Sequence, residues 1–113
     1  METVRIALGA NWWDVKAKLT VGAQRASEEL SAEYLKEDES VEEIMARIPS
    51  SVKLEMNRAM VMKSTVAWSY GDITTEVFEN EVPADDYEIV LKRCNELYGS
   101  VPLVSAEESS PRT

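Results

Sequence analysis

The sequence predicts an α+β fold, an N-terminal β-hairpin followed by three to four helices, and three observations predict it. Apolar and polar residues alternate through Thr3–Leu8 and again through residues 12–19, the two-residue period of half-buried strands. Later segments repeat apolar residues at three- and four-residue spacing, the period of amphipathic helices. The chain has 113 residues, 44% of them apolar, enough for one hydrophobic core and too few for two. Residues 1–99 are therefore read as a single domain and residues 100–113 as a flexible C-terminal tail.

In the first strand Val4, Ile6 and Leu8 share one side and Thr3, Arg5 and Ala7 the other. In the second, Trp13, Val15, Ala17 and Leu19 oppose Trp12, Asp14, Lys16 and Lys18. Gly9-Ala10-Asn11 between them reads as a three-residue hairpin loop, because these residues tolerate the reversal. One face of the hairpin is expected to bury Val4, Ile6, Trp13 and Val15. The other is polar except for Trp12.

Thr20 is placed to cap a helix, along which Ala23, Ala26, Leu30 and Tyr34 recur on one face. Gly22 weakens its first turn by roughly 1 kcal/mol relative to alanine. The helix is expected to run out in Glu37-Asp38-Glu39, where like charges meet the wrong end of the helix dipole. Ser40 and Glu43 have capping-box spacing, and Val41, Ile44, Met45 and Ile48 give the short helix they start an apolar side, ended by Pro49. Residues 52–68 read as one long helix, apolar around most of its circumference, which belongs at the centre of the domain or against a partner. Tyr70-Gly71-Asp72 breaks it. Residues 73–82 read as irregular, with room for a short helix. Pro83 introduces the last helix, with Asp85 as its cap, a stripe of Tyr87, Val90, Leu91, Cys94, Leu97 and Tyr98, and Gly99 as its C-terminal cap. The tail beyond is rich in serine, proline and acid, a composition that favours disorder.

The chemistry present excludes much. A net charge of −9 repels nucleic-acid backbones and anionic membranes over most of the surface, so neither is expected as a partner. No apolar run approaches the ~20 residues that span a bilayer. Residues 1–8 carry Glu2 and Arg5, so no signal peptide is read there, and a reducing cytosol is expected. Cys94 is the single cysteine, which rules out an intrachain disulfide and a thiolate zinc site. The chain has no histidine and only four scattered glycines, so it lacks the usual neutral-pH base and any phosphate-cradling loop. Glu37-Asp38-Glu39 and Glu42-Glu43 read as solvated acids without the separation in pKa that a catalytic pair needs. They also lack the glycine and the alternation of a calcium loop. No enzymatic activity, cofactor or metal is expected.

What remains is recognition of another protein. Met56, Met60 and Met62, with Met45 near in sequence, place flexible, polarizable side chains on one helix, the kind of surface that adapts to varied apolar partners; Met56 and Met60 at four-residue spacing equally suit a core. Trp12 on the outer face of the hairpin is the best single candidate for an interface anchor, since indoles dominate binding hot spots; burial under the acidic helix is the alternative. The candidate partner-binding residues are Trp12, Met56, Met60, Met62, Trp68 and Tyr70. Between Glu28 and Glu43, eight acids stand against Lys36 alone, a belt that keeps an apolar domain dispersed or steers a basic partner.

Trp12/Trp13-Asp14-Val15-Lys16, then Leu19-Thr20-Val21-Gly22 and Gln24, resembles the N-terminal signature of the tail assembly chaperones of phages with long, non-contractile tails. Val66-Ala67-Trp68-Ser69, the loop near Asp72, and Val82-Pro83 before the 87–97 helix continue that resemblance over most of residues 3–98. The acidic stretch around residues 36–48 departs from the family pattern. So does residues 105–113, which carry no trace of the slippery stretch where such chaperones frameshift. The resemblance implies a non-enzymatic role: coating the apolar, helical tape-measure protein before tail-tube subunits assemble around it. It places the chain in the cytoplasm of the infected bacterium and outside the mature virion, and leaves self-association open. Two other readings stand beside it, a virion structural or head–tail connector subunit and a small acidic adaptor or inhibitor of a host protein.

Overall fold

A computed structural model of the chain describes residues 2–99. Along the sequence run β1 (Thr3–Leu8), β2 (Asn11–Lys16), α1 (Val21–Ser31), α2 (Val41–Arg47), α3 (Ser50–Ser64), β3 (Thr65–Trp68), α4 (Thr75–Asn80) and α5 (Ala84–Tyr98), with one 3-10 turn at Ala32–Tyr34. The expected N-terminal antiparallel hairpin is present, and five helices follow it. The expected tail at 100–113 lies outside the described residues.

The hairpin closes more tightly than its sequence reads. Leu8 pairs with Asn11, leaving a two-residue loop of Gly9 and Ala10. Gly9 takes φ +70°, a left-handed conformation that turns the chain in fewer residues and frees Asn11 to join the ladder. Pairing ends near Lys16, where Ala17 N–H still donates to the Glu2 carbonyl at 3.0 Å. Ile6, Leu8, Trp13 and Val15 point into the core, while Thr3, Arg5 and Ala7 are exposed on the opposite face.

Thr20 caps α1 as expected, accepting from Ala23 N–H at 3.2 Å. The buried line is Ala23, Ser27 and Ser31, and Leu30 stays 42% exposed. Two serines thus replace the expected Leu30 and Tyr34 on the packed face. Their short side chains let α1 lie along α3, and the Ser31 hydroxyl donates back to the Glu28 carbonyl at 2.9 Å. The helix stops at Ser31, well before the acidic run. The Ser40–Glu43 capping box forms in both directions, at 2.9 and 3.2 Å. Of the apolar side expected on α2, only Ile48 is buried and Val41 is exposed. The Arg47 guanidinium anchors this arm by donating to the Glu39 carboxylate and the Tyr34 carbonyl.

The long helix expected over 52–68 is two elements. Helix α3 ends at Ser64, and Thr65–Trp68 becomes the third strand, antiparallel to β2, in the order β1-β2-β3. Thr65 makes the switch. Its hydroxyl donates back to the Val61 carbonyl at 2.7 Å, and its oxygen accepts the Trp13 indole N–H at 2.9 Å. Two adjacent β-branched residues, Thr65 and Val66, favour the extended conformation here. A bulge opposite Asp14 and Val15 puts Val66 out of register.

Thr74 caps α4, accepting from Val77 N–H at 3.1 Å. Helix α5 begins one residue before the expected cap: Pro83 holds the cap position and Asp85 lies within the first turn, where its charge suits the helix dipole. Gly99 closes it at φ +79°, as expected. The sheet's inner face and helices α1, α3 and α5 enclose Trp13, Val15, Ala23, Met60, Val61, Val90 and Cys94, all fully buried. Trp13 sits edge-on to Trp68 at 4.9 Å, to Tyr70 at 6.0 Å and to Phe78 at 6.5 Å, an arrangement that adds quadrupole attraction to area burial.

Candidate functional site

The candidate contact residues divide between core and surface. Met56, Met60 and Trp68 are buried, at 1%, 0% and 5% exposure. The methionines form the inward side of α3, and Trp68 is the inner-face residue of β3, its indole N–H donating to the Gly71 carbonyl at 3.0 Å. Tyr70 is half-buried, packed edge-on to Trp68 at 5.6 Å, with its hydroxyl donating to Asp86 Oδ2 at 2.6 Å. Burial, and then the Asp86 carboxylate, push its phenol well above the ordinary range, so it stays protonated and held in place. Trp12 and Met62 are half-exposed as Tyr70 is, without its side-chain hydrogen bond. They lie in two different places.

Met62 forms part of the floor of a groove between α1, α3 and α4. Two adjoining hollows, of about 480 and 170 Å³, share Ala59, Met62 and Thr75. Leu30 forms one wall and Phe78 another, and Ile73 lies beyond them. Leu30 and Ile73 are each 42% exposed. The rim carries both signs, Glu55 and Glu79 with Arg58 and Lys63, and Arg58 is paired to Glu55 at 3.0 Å. The groove thus combines apolar side chains with a polar border. The sequence signals for it were split. Leu30 reads as a core residue of its helix, and Ile73 and Phe78 fall in a segment without clear periodicity.

Trp12 lies on the outer face of the sheet, which the described residues leave uncovered. The Arg5 guanidinium stacks over its ring at 4.0 Å and forks onto Asp14 at 2.8 and 3.0 Å. The Arg5 hydrogen bond holds the Asp14 carboxyl below the usual carboxylate range. Ser69 fixes the Trp12 backbone, its hydroxyl accepting the Trp12 N–H at 3.0 Å and its own N–H donating to the Trp12 carbonyl at 3.1 Å. Arg5, Trp12 and Asp14 thus form one rigid, nearly neutral patch, flanked by the small residues Ala7 and Ala67 that pair beside it.

Among the described residues no three His, Cys, Asp or Glu side chains gather as metal ligands, and no helix is long and apolar enough to cross a membrane. Cys94 is buried, and burial raises its thiol to about 11. Comparison with known proteins finds no family model, no curated protein and no solved structure that matches this chain.

Proposed function

We propose that this chain is a non-enzymatic tail assembly chaperone that binds and solubilises a phage tape-measure protein during tail morphogenesis. The observation that carries the reading is the α1–α3–α4 groove, floored by Ala59 and the adaptable Met62 and walled by Leu30 and Phe78. A tape-measure chain displays apolar helical stripes that aggregate if left in water. A cleft of this kind takes one turn after another of such a stripe, and the net charge of −9 keeps the complex dispersed. The sequence resemblance at Trp12–Lys16, Leu19–Gly22 and Val66–Ser69 points the same way. The protein then acts in the cytoplasm of the infected cell and leaves before the virion is complete. Release favours many modest contacts over a single tight one.

Coexpression with the tape-measure protein of the same genome tests this. The wild-type chain should raise the soluble fraction of the tape measure several-fold. Leu30→Glu, a charge placed on an already exposed groove wall, should remove that gain while leaving the variant's own melting temperature unchanged. A tape measure equally insoluble with and without the chain would end the proposal. Recovery of the chain from purified particles at fixed copy number would instead assign a connector subunit.

A further inference from the structure

We infer that two copies of this chain join their sheets edge to edge through β1, antiparallel, with Ile6 facing Ile6 of the second copy. This goes beyond the chaperone reading and does not depend on it.

The sheet has two free edges among the described residues, β1 and β3. They are treated differently. β3 has four residues, starts directly from a helix and carries a bulge, three features that blunt an edge. β1 has six residues in unbroken register with β2 and contains neither proline nor lysine. Bonded pairs alternate along an antiparallel ladder. The Ala17-to-Glu2 bond sets their phase, so Val4, Ile6 and Leu8 exchange bonds with β2, while Thr3, Arg5 and Ala7 direct their N–H and C=O groups outward. Their side chains are all exposed on the outer face.

A charge on an edge strand normally discourages pairing. Arg5 is the only charge on β1, and it is folded back onto Asp14 and Trp12 of its own chain. With Ile6 facing Ile6, each Arg5 lies opposite Ala7 of the second copy and no like charges meet. Val4 then faces Leu8, extending the apolar inner layer across both sheets, and half-buried Val4 gains cover. On the outer layer Trp12, Ala7, the second copy's Arg5 and its Asp14 form one row. Long-range charge favours the same place. Residues 2–18 carry Arg5, Lys16 and Lys18 against Glu2 and Asp14, net +1 in a chain of net −9. Two acidic molecules therefore meet less repulsion at this hairpin than over the acidic surface as a whole. The interface is small beside a standard one, so the dimer is a weak one that builds up with concentration.

Amide hydrogen exchange followed by NMR, from low-micromolar to near-millimolar protein, reads this residue by residue. The Arg5 and Ala7 amides should exchange freely in dilute solution and become protected at least tenfold at high concentration. Val4, Ile6 and Leu8 should be protected throughout. Sedimentation should show a monomer–dimer equilibrium over the same range. Ala7→Pro removes only an outward N–H, which an edge strand tolerates, and should give a folded monomer at every concentration. Ala7→Lys, a milder edge charge, should weaken the dimer if the proline variant fails to fold. Arg5 and Ala7 amides that exchange freely at all concentrations would overturn the inference. So would protection independent of concentration, as a strand from the same chain would give, or a dimer unaffected by both substitutions.

Discussion

Thr65→Val isolates the junction on which helix α3 becomes strand β3. Valine keeps the size and β-branching of threonine, so the pairing with Val15 and the strand preference survive. The hydroxyl alone is lost, and it does two jobs. It accepts the indole N–H of Trp13 at 2.9 Å and donates to the Val61 carbonyl at 2.7 Å. Trp13 is fully buried, so its N–H is left without a partner or a route to water, a cost of about 1–3 kcal/mol. Losing the bond to the Val61 carbonyl adds about 1 kcal/mol, partly offset by the extra apolar burial of valine. A net loss of about 2–3 kcal/mol in a domain of this size lowers the melting temperature on the order of 10–20 °C. Urea titration followed by far- and near-ultraviolet circular dichroism, with calorimetry for the midpoint, measures it. Trp13→Phe removes the same hydrogen bond from the other side, so in the double variant the second substitution should cost less than it does alone. A Thr65→Val loss below about 0.5 kcal/mol, the range of neutral surface changes, would refute the reasoning. Strict additivity with Trp13→Phe would refute it as well.

Alkaline pH should reveal the tyrosines. Folding raises Tyr70, Tyr87 and Tyr98, the last two to about 12, with burial the leading cause in each. Their contribution is therefore complete below the free phenol value of about 10 and disappears as pH climbs through the folded values. The urea midpoint should hold steady up to pH about 10 and then fall, with tyrosinate absorbance appearing as the protein unfolds; a full tyrosinate signal from the native protein near pH 10 would contradict this. Cys94, buried and raised to about 11, should resist a thiol reagent at neutral pH and react at once in urea, and rapid labelling of the folded protein would show that its site opens. Ser40→Ala removes one half of the α2 capping box, a loss of about 0.5–2 kcal/mol. Because α2 buries none of its own residues, that loss should appear as faster amide exchange within 41–47 and little change in the global midpoint; an equal drop in both would mean that α2 unfolds with the core.

Local signals were easiest to read where one residue type has one use. Thr20, the Ser40–Glu43 pair and Gly99 each act at the helix end their chemistry suits, and the alternation of β1 and β2 assigns Ile6, Trp13 and Val15 to the core, while Val4, expected with them, stays half-buried and Leu8 is buried instead. The third strand was hidden because Leu54–Trp68 is apolar without a clear period, and a buried helix and a buried strand look alike in such a run. What separates them is the bond between Thr65 and Trp13, partners fifty-two positions apart in the chain. The packed face of α1 was misplaced for a related reason. Ser27 and Ser31 carry no hydrophobic signal, yet closeness of α1 to α3 favours short side chains over Leu30. The groove depends on that same rotation, since Leu30 is available to line it only because the serines face inward. Of the six candidate contact residues, Trp12, Met62 and Tyr70 reach the surface, and nothing in the spacing of Met56, Met60 and Met62 distinguishes the methionine that does.

The three indoles have unequal access to solvent. Trp13 and Trp68 lie inside, edge to face, while Trp12 stands outside beneath a guanidinium. An aqueous collisional quencher such as iodide can therefore reach one emitter and hardly the other two. The protein carries its own label on the open side of the sheet, one strand away from Ala7. A ligand seated in the helical groove would leave that quenching untouched, whereas anything laid across the sheet would shield it, so one unlabelled optical titration tells the two surfaces apart.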